Sequence, residues 1–318
     1  MRLGMRLGRP LLILWLVLAL GVLLAPFFLH LALLDSLRLP VILASLAVAV
    51  FQFWQRQWRT GGLSLLLVLC LIGPWAGTGG LPVPQDMKQV KLIVLPSSDP
   101  EALDYALKEQ PDLLFIPDFS DETDTALGVQ RVIHADPLAV PQLAEALPQL
   151  TQLYRPWLLK TNDGMGLFIK AGATDIDSVR VREARVGSYA LVADVRLADT
   201  ELTLAMVHFT RPYPLSGFGR QVAQVERLAG QLQKIPRPII LAGDFNALPW
   251  SKILDTLSAA MGADNAQWTG TFPAGSPLKL AIDQVRVSGG LQIVSLASGP
   301  YVGSIHLPLV ATIALPPR

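Results

Sequence analysis

The stretch LAGDFNALPWS, residues 241–251, closes an apolar run, IILAG, with Asp244 and Asn246. Spaced two apart, the carboxylate and the carboxamide fall on one face of an extended chain. Such a pair suits a hydrated phosphate, a water or a hard cation. It also suits an Asx-turn that merely closes a strand, and the residues alone leave both readings open.

Other polar residues end or interrupt apolar runs in the same manner. AMVHFTRP brings a strand to His208, LAIDQVRVS sets Asp283 among apolar neighbours, and GPYVGSIHLPLVATIAL holds His306. A buried carboxylate needs a partner, and His306 is a candidate for Asp283. A carboxylate on one imidazole nitrogen orients the ring and raises its basicity. Strand-forming patterns recur from residue 88 onward (VKLIVLP, DLLFIPD, YALVADVRL, ELTLAMVHF), with helices in DPEALDYALKEQ, RQVAQVERLAGQLQKI and PWSKILDTLSAA. VKLIVLP and DLLFIPD, joined by a helix that opens at Asp99 and Pro100, predict a parallel pair. Asn162-Asp163-Gly164 predicts a hairpin turn, VRVREARV a further strand, and residues 137–153 carry helical spacing. The domain is α+β: a two-sheet sandwich flanked by helices, in four αββα layers.

Composition is uneven. The chain of 318 residues is 51% hydrophobic and 16% charged, against about 25% charged in ordinary soluble domains. The excess lies in residues 1–80, where Leu11–Leu29, Leu39–Trp54 and Leu63–Trp75 predict three transmembrane helices. Arg2, Arg6, Arg9, Arg56 and Arg59 place the N-terminus and the second loop inside, so residues 88–318 are expected on the periplasmic side of the inner membrane. Residues 81–87 read as a linker, the end of the Gly- and Pro-rich stretch GTGGLPVPQDM, and the lipid bilayer is the expected partner of residues 1–80. Cys70 is the one cysteine, which leaves the following domain without a disulfide. Six of the 26 Lys and Arg but one of the 25 Asp and Glu precede residue 82, leaving the remainder at about −4. That sign disfavours a polynucleotide substrate, since phosphate neutralisation supplies most non-specific affinity.

In order and spacing, the acid Asp118, His208, GDFN, IDQVRVS and SIHLPLV resemble the endonuclease/exonuclease/phosphatase superfamily across residues 88–318. GDFNA with PWS, and GTFP at 270–273, are similar to its bacterial membrane-anchored members. The resemblance implies divalent-metal-dependent attack of water on a phosphoester, with Mg²⁺ or Mn²⁺ as cofactor. It implies phosphate binding by His208 and Asn246, water positioning by Asp244, an Asp283–His306 pair, and metal binding by Asp118 with Asp244. A phosphorylated small molecule and a lipid headgroup both stay open as substrates.

The departures cluster at the cation. Pro96 or Ser97 stands where the family has Asn, Asp118 where it has Glu, Gln284 where His or Tyr is frequent, and Ile305 where it has Asp. The expectation is a membrane-tethered phosphoesterase with an eroded metal site; the alternative is a catalytically inactive phosphoesterase-like domain acting as a binding module at the membrane.

Overall fold

The computed structural model describes residues 15, 17–72, 87–97, 99–118, 154–160, 165–170, 189–197, 200–236, 238–263 and 267–316. The chain divides into two compact units, Met1–Thr78 with Trp250–Thr256, and Gly79–Pro249 with Leu257–Arg318. The expected helix over 137–153, the strand VRVREARV, the Asn162-Asp163-Gly164 turn and most of the linker lie outside the described residues.

In the first unit, residues 17–24 are helical and give way to short 3₁₀ segments at Ala25–Phe27 and Leu29–Leu37. Helices α1 (Arg38–Trp54, 17 residues) and α2 (Trp58–Ile72, 15 residues) follow. Ala19, Val22, Val41, Ile42, Val68 and Leu71 form their shared core. The expectation of three membrane spans is corrected here: no helix among the described residues is long and apolar enough to cross a membrane. The first apolar run is interrupted by backbone chemistry, whereas α1 holds the whole of the second. Pro26 enters a 3₁₀ turn, where its missing N–H is tolerated but an α-helix does not continue through it. At 1.5 Å per residue, α1 reaches about 25 Å, short of a hydrocarbon core of about 30 Å.

The second unit is α+β and built on two sheets. β1 (Gln89–Val94), β2 (Leu113–Ile116), β3 (Tyr154–Lys160), β4 (Met165–Lys170), β9 (Gln292–Ser298) and β10 (Leu309–Ala314) form one, in the order β3-β4-β2-β1-β10-β9. β5 (Ala190–Leu197), β6 (Thr200–His208), β7 (Ile239–Asp244) and β8 (Asp283–Val287) form the other, in chain order. β1 and β2 are parallel, as their connecting helix predicts, and so are β6 and β7. β9 was not predicted by the sequence pattern: its Val294, Ser295 and Ala297 are part of an edge strand whose burial does not alternate cleanly.

Between the sheets lies one continuous core that includes Leu92, Phe115, Leu204, Met206, Ile240, Ala242, Val285 and Ile313. Helix α3 (Pro100–Glu109) covers the opposite face of the first sheet, packing Ala102, Leu103 and Ala106 on Ile93, Leu114 and Phe168. Asp99 precedes it and Pro100 fills its first position, as expected. Helix α4 (Leu215–Leu232) buries a stripe at Gly217, Gln221, Val225, Leu228 and Leu232, the four-and-three spacing of an amphipathic helix. Helix α5 (Lys252–Met261) follows β7 and is divided between the two units.

Gly243 is the tightest point of the second sheet. Its φ is +140°, and a Cβ there would stand 2.0 Å from the carbonyl oxygen of Val207 on the adjacent strand. A side chain would push β7 off β6 just before the strand end that carries Asp244. Gly243→Ala is expected to lower stability by about 3 kcal/mol, combining backbone strain with a displaced ladder. The shift in the urea midpoint of the β-rich unfolding transition measures it.

Candidate active site

Side-chain parity places the polar strand ends. Met206, Ala242 and Val285 point into the core between the sheets, so His208, Asp244 and Asp283, two residues from each, share that face. The register then sets them side by side: His208 pairs with Asp244 across β6 and β7, and Asp244 with Asp283 across β7 and β8. The first sheet reaches the same point from the other side, because the carbonyl of Pro117, just past β2, accepts from His208 Nδ1 at 3.0 Å. The site thus opens at one end of the sandwich, where both sheets contribute.

His306 arrives on the loop before β10. Ile305 O accepts from Ala274 N at 2.7 Å and Leu307 N donates to Thr271 O at 2.9 Å, clamping the histidine between two backbone bonds. Its Nδ1 lies 2.8 Å from Asp283 Oδ2, and its ring packs on Phe272 at 4.7 Å between centroids. The expected Asp283–His306 pair is therefore formed. The same Oδ2 accepts from Thr271 Oγ1 at 2.5 Å, and Thr271 is fully buried. The sequence pattern contains Thr271 within GTFP but assigns it no role. The signal was the demand for a second donor at a carboxylate surrounded by apolar side chains.

The Asp-x-Asn motif forms the Asx-turn. Asn246 N donates to Asp244 Oδ1 at 2.8 Å, an Asx-turn, and Asn246 Nδ2 donates to Asp244 Oδ2 at 3.1 Å and to Phe209 O at 2.9 Å. Asn246 has φ +48°, a left-handed conformation that asparagine tolerates better than most residues. Gln221 of α4 fixes this loop from beneath, its Nε2 donating to the carbonyls of Phe245 and Asn246 at 3.0 Å each. Gln221 was overlooked in the sequence, although it lies on the apolar stripe of α4, where an amide needs a specific partner. On the other flank, Gln224 locks Thr210 through two 2.9 Å hydrogen bonds, steadying the segment that follows His208.

Charge is crowded here. Burial and the neighbouring Asp283 push the Asp244 carboxyl up to about 7, against the pull of His306, the Asn246 N–H and Arg211. Burial works to lower His306, but the hydrogen bond and charge of Asp283, with Asp244 behind it, overcome this and raise its pKa. Burial dominates at His208 and lowers its pKa, with Asp118 acting in the opposite direction. His208 Nε2 stands 3.7 Å from Asp244 Oδ2.

Asp244, Asp283 and His306 each offer a ligand atom, all within 4.8 Å of one another. Two buried carboxylates offer the oxygen ligands that a divalent cation takes, and the His306 imidazole stands in the same cluster. Asp118, expected to share the cation with Asp244, is exposed and acts electrostatically on His208. Gln284 is buried, its amide donating to Ala281 O. Ile305, in the place of the expected second carboxylate, is 59% exposed.

Residues 103–305 match the sequence model of the Endonuclease/Exonuclease/phosphatase family. In structure the chain is similar to an endonuclease/exonuclease/phosphatase family protein from Bacteroides thetaiotaomicron, at TM-score 0.50 and 11% identity, covering 73% of this chain and 100% of that one. It is also similar to truncated TDP2 from Caenorhabditis elegans (TM-score 0.47, 15% identity, 72% and 100% covered). The human Nocturnin catalytic domain with bound sulfate gives TM-score 0.44, with 15% identity over 71% of this chain and 94% of that one. No curated protein matches the chain in sequence.

Two outcomes are expected. With a chelator present, the folded domain keeps a proton on Asp244 that the unfolded chain releases near pH 4, so stability falls as pH rises from about 4 to about 7. Asp244→Asn should flatten that slope in urea unfolding measured across the range. Thr271→Val, which strips a buried donor from a carboxylate, should cost about 2 kcal/mol in the same assay, and Thr271→Ser should restore most of it.

Proposed function

Because the chain belongs to the endonuclease/exonuclease/phosphatase family, we propose that its second unit hydrolyses phosphoesters with the help of a divalent cation, Mg²⁺ or Mn²⁺. The observation that carries this reading is the convergence of Asp244, Asp283 and His306 within 4.8 Å. The carboxylates of Asp244 and Asp283 would hold the cation, which when bound supplies positive charge to stabilise the phosphoryl oxygens.

The chain's own residues do the rest. Asp283 occupies Nδ1 of His306, which leaves Nε2 as the nitrogen for substrate. Asp283 raises its pKa, which favours the protonated ring, and that form donates from Nε2 to a phosphoryl oxygen. His208 is tied through Nδ1 to Pro117; an entering phosphate favours its protonated form, and Nε2 then donates as well. Asp244, at about 7 before a cation binds, accepts a hydrogen bond from the attacking water and orients it. Asn246 holds Asp244 in place, its amide nitrogen being engaged by Asp244 and Phe209. Arg211 adds a further positive charge, felt by Asp244, His208 and His306.

A second reading, a binding domain without catalysis, is favoured by one feature: Ile305 can ligate nothing. Hydrolysis of bis(p-nitrophenyl) phosphate separates the two. With Mn²⁺ or Mg²⁺ the native chain is expected to turn over, with a loss of about 100-fold or more in His306→Ala and on chelation. No turnover in the native chain, with activity appearing in Ile305→Asp, would instead establish the binding reading.

A further inference from the structure

On the buried stripe of α4, among Gly217, Val225, Leu228 and Leu232, stands one amide, Gln221. It is 1% exposed. A leucine or methionine would pack the stripe without the cost of desolvating an amide, so the amide is there for its partners. Both of its N–H donors go to one loop: Nε2 lies 3.0 Å from the carbonyl oxygen of Phe245 and 3.0 Å from that of Asn246. These carbonyls belong to the two consecutive peptide groups on either side of the Asn246 Cα. Tying both to a single nitrogen fixes the left-handed turn there, at φ +48°.

The first of those peptides carries the consequence to the site. A peptide group is planar and trans, so its carbonyl and its N–H point in opposite directions. The Phe245 carbonyl faces Gln221, and the N–H on the other edge, that of Asn246, donates to Asp244 Oδ1 at 2.8 Å. Gln221, one peptide and the Asp244 carboxylate thus form a single line of hydrogen bonds, each polarising the next. The Asn246 side chain reaches Asp244 Oδ2 at 3.1 Å, so both carboxylate oxygens take their bearing from the same residue. The loop is pinned at its flanks as well: Phe245 N donates to Ile282 O at 3.0 Å and Asn246 Nδ2 to Phe209 O at 2.9 Å. Those bonds hold the chain in place, whereas the bond to Gln221 decides which way the peptide faces. Turned over, it would present a carbonyl oxygen to a buried carboxylate. Gln224, three residues along α4, serves a different loop, exchanging two hydrogen bonds with Thr210.

We propose that Gln221 is a positioning residue: by setting the Phe245–Asn246 peptide it aims the Asp244 carboxylate, and through it governs how tightly the site holds a divalent cation. The role rests on the phosphoesterase reading for the cation, and on the hydrogen-bond geometry alone for the aim of Asp244. Groups that orient a ligating side chain from behind change metal affinity by about 10- to 100-fold when removed. A glutamine that merely satisfied two buried carbonyls would lower stability on removal and leave that affinity where it was.

The test compares the full chain with its Gln221→Met and Gln224→Met variants. Without metal, the Asn246 backbone amide proton, deshielded by its carboxylate acceptor, is expected to move upfield in Gln221→Met and to stay in place in Gln224→Met. Binding of Mn²⁺, read from the electron paramagnetic resonance of the free ion, should weaken about tenfold in Gln221→Met and by less than about twofold in Gln224→Met. An unmoved Asn246 amide, or an affinity that falls equally in both variants, overturns the proposal. The native chain gives a check that requires no variant to fold. As Mg²⁺ is added, the Gln221 Nε2 amide signals should shift with the same midpoint as the Asn246 amide, since the cation withdraws charge from the carboxylate at the end of the line. A Gln221 signal that stays still while the Asn246 amide responds overturns the proposal too. Absence of Mn²⁺ binding by the native chain would refute the phosphoesterase reading, and the metal-free shift would then decide the aim of Asp244 by itself.

Discussion

Asp244 and Asp283 stand opposite each other on paired strands, both buried, and two like charges at that spacing resist being ionised together. Much of the surrounding structure answers this repulsion. Thr271 and His306 both donate to Asp283, and Asn246 donates twice to Asp244. Arg211, in the segment after His208, acts on Asp244 and His306 from a distance. None of these supplies a full positive charge in direct contact with both carboxylates. A proton on Asp244, whose carboxyl is pushed up to about 7, relieves the repulsion, and so would the cation proposed for the site.

The packing that creates the deficit also keeps it fixed. Gly243 lets β7 lie against β6 closely enough for His208 and Asp244 to pair. Gln221 holds the loop carbonyls behind Asn246, and the backbone clamp around His306 ties two loops into one support. The donors are thus held before any ligand enters, which reduces the ordering cost of binding.

Short apolar runs bounded by turn residues made the sandwich legible; β2, β7 and β8 are buried along their full length, so run length rather than alternation marked them. Asp244, Asn246, Asp283, His208 and His306 were legible as a set because each interrupts or ends an apolar run. Their partners were not. Thr271 and Gln221 are uncharged residues whose importance lies in contacts across the chain, and local sequence does not encode contacts. β9 escaped because an edge strand with partly exposed residues lacks a strong alternation. The three predicted spans failed for another reason: hydropathy counts side chains, whereas helix length depends on where the backbone can continue, and it breaks at Pro26 and between Trp54 and Trp58.

The strand order bears on how the domain comes into being. β1, the first strand of its sheet, hydrogen-bonds to β10, the last, along its full length, from Gln89 with Ala314 to Val94 with Leu309. Ribosomes deliver the chain in the opposite spirit, one end long before the other. Until the residues of β10 have emerged, β1 lacks that neighbour, the core between the sheets lacks Leu309, Ala311 and Ile313, and the segment bearing His306 has no anchor. The nascent domain therefore passes most of its synthesis with an open sheet edge and no assembled site, a long interval of exposure to mispairing.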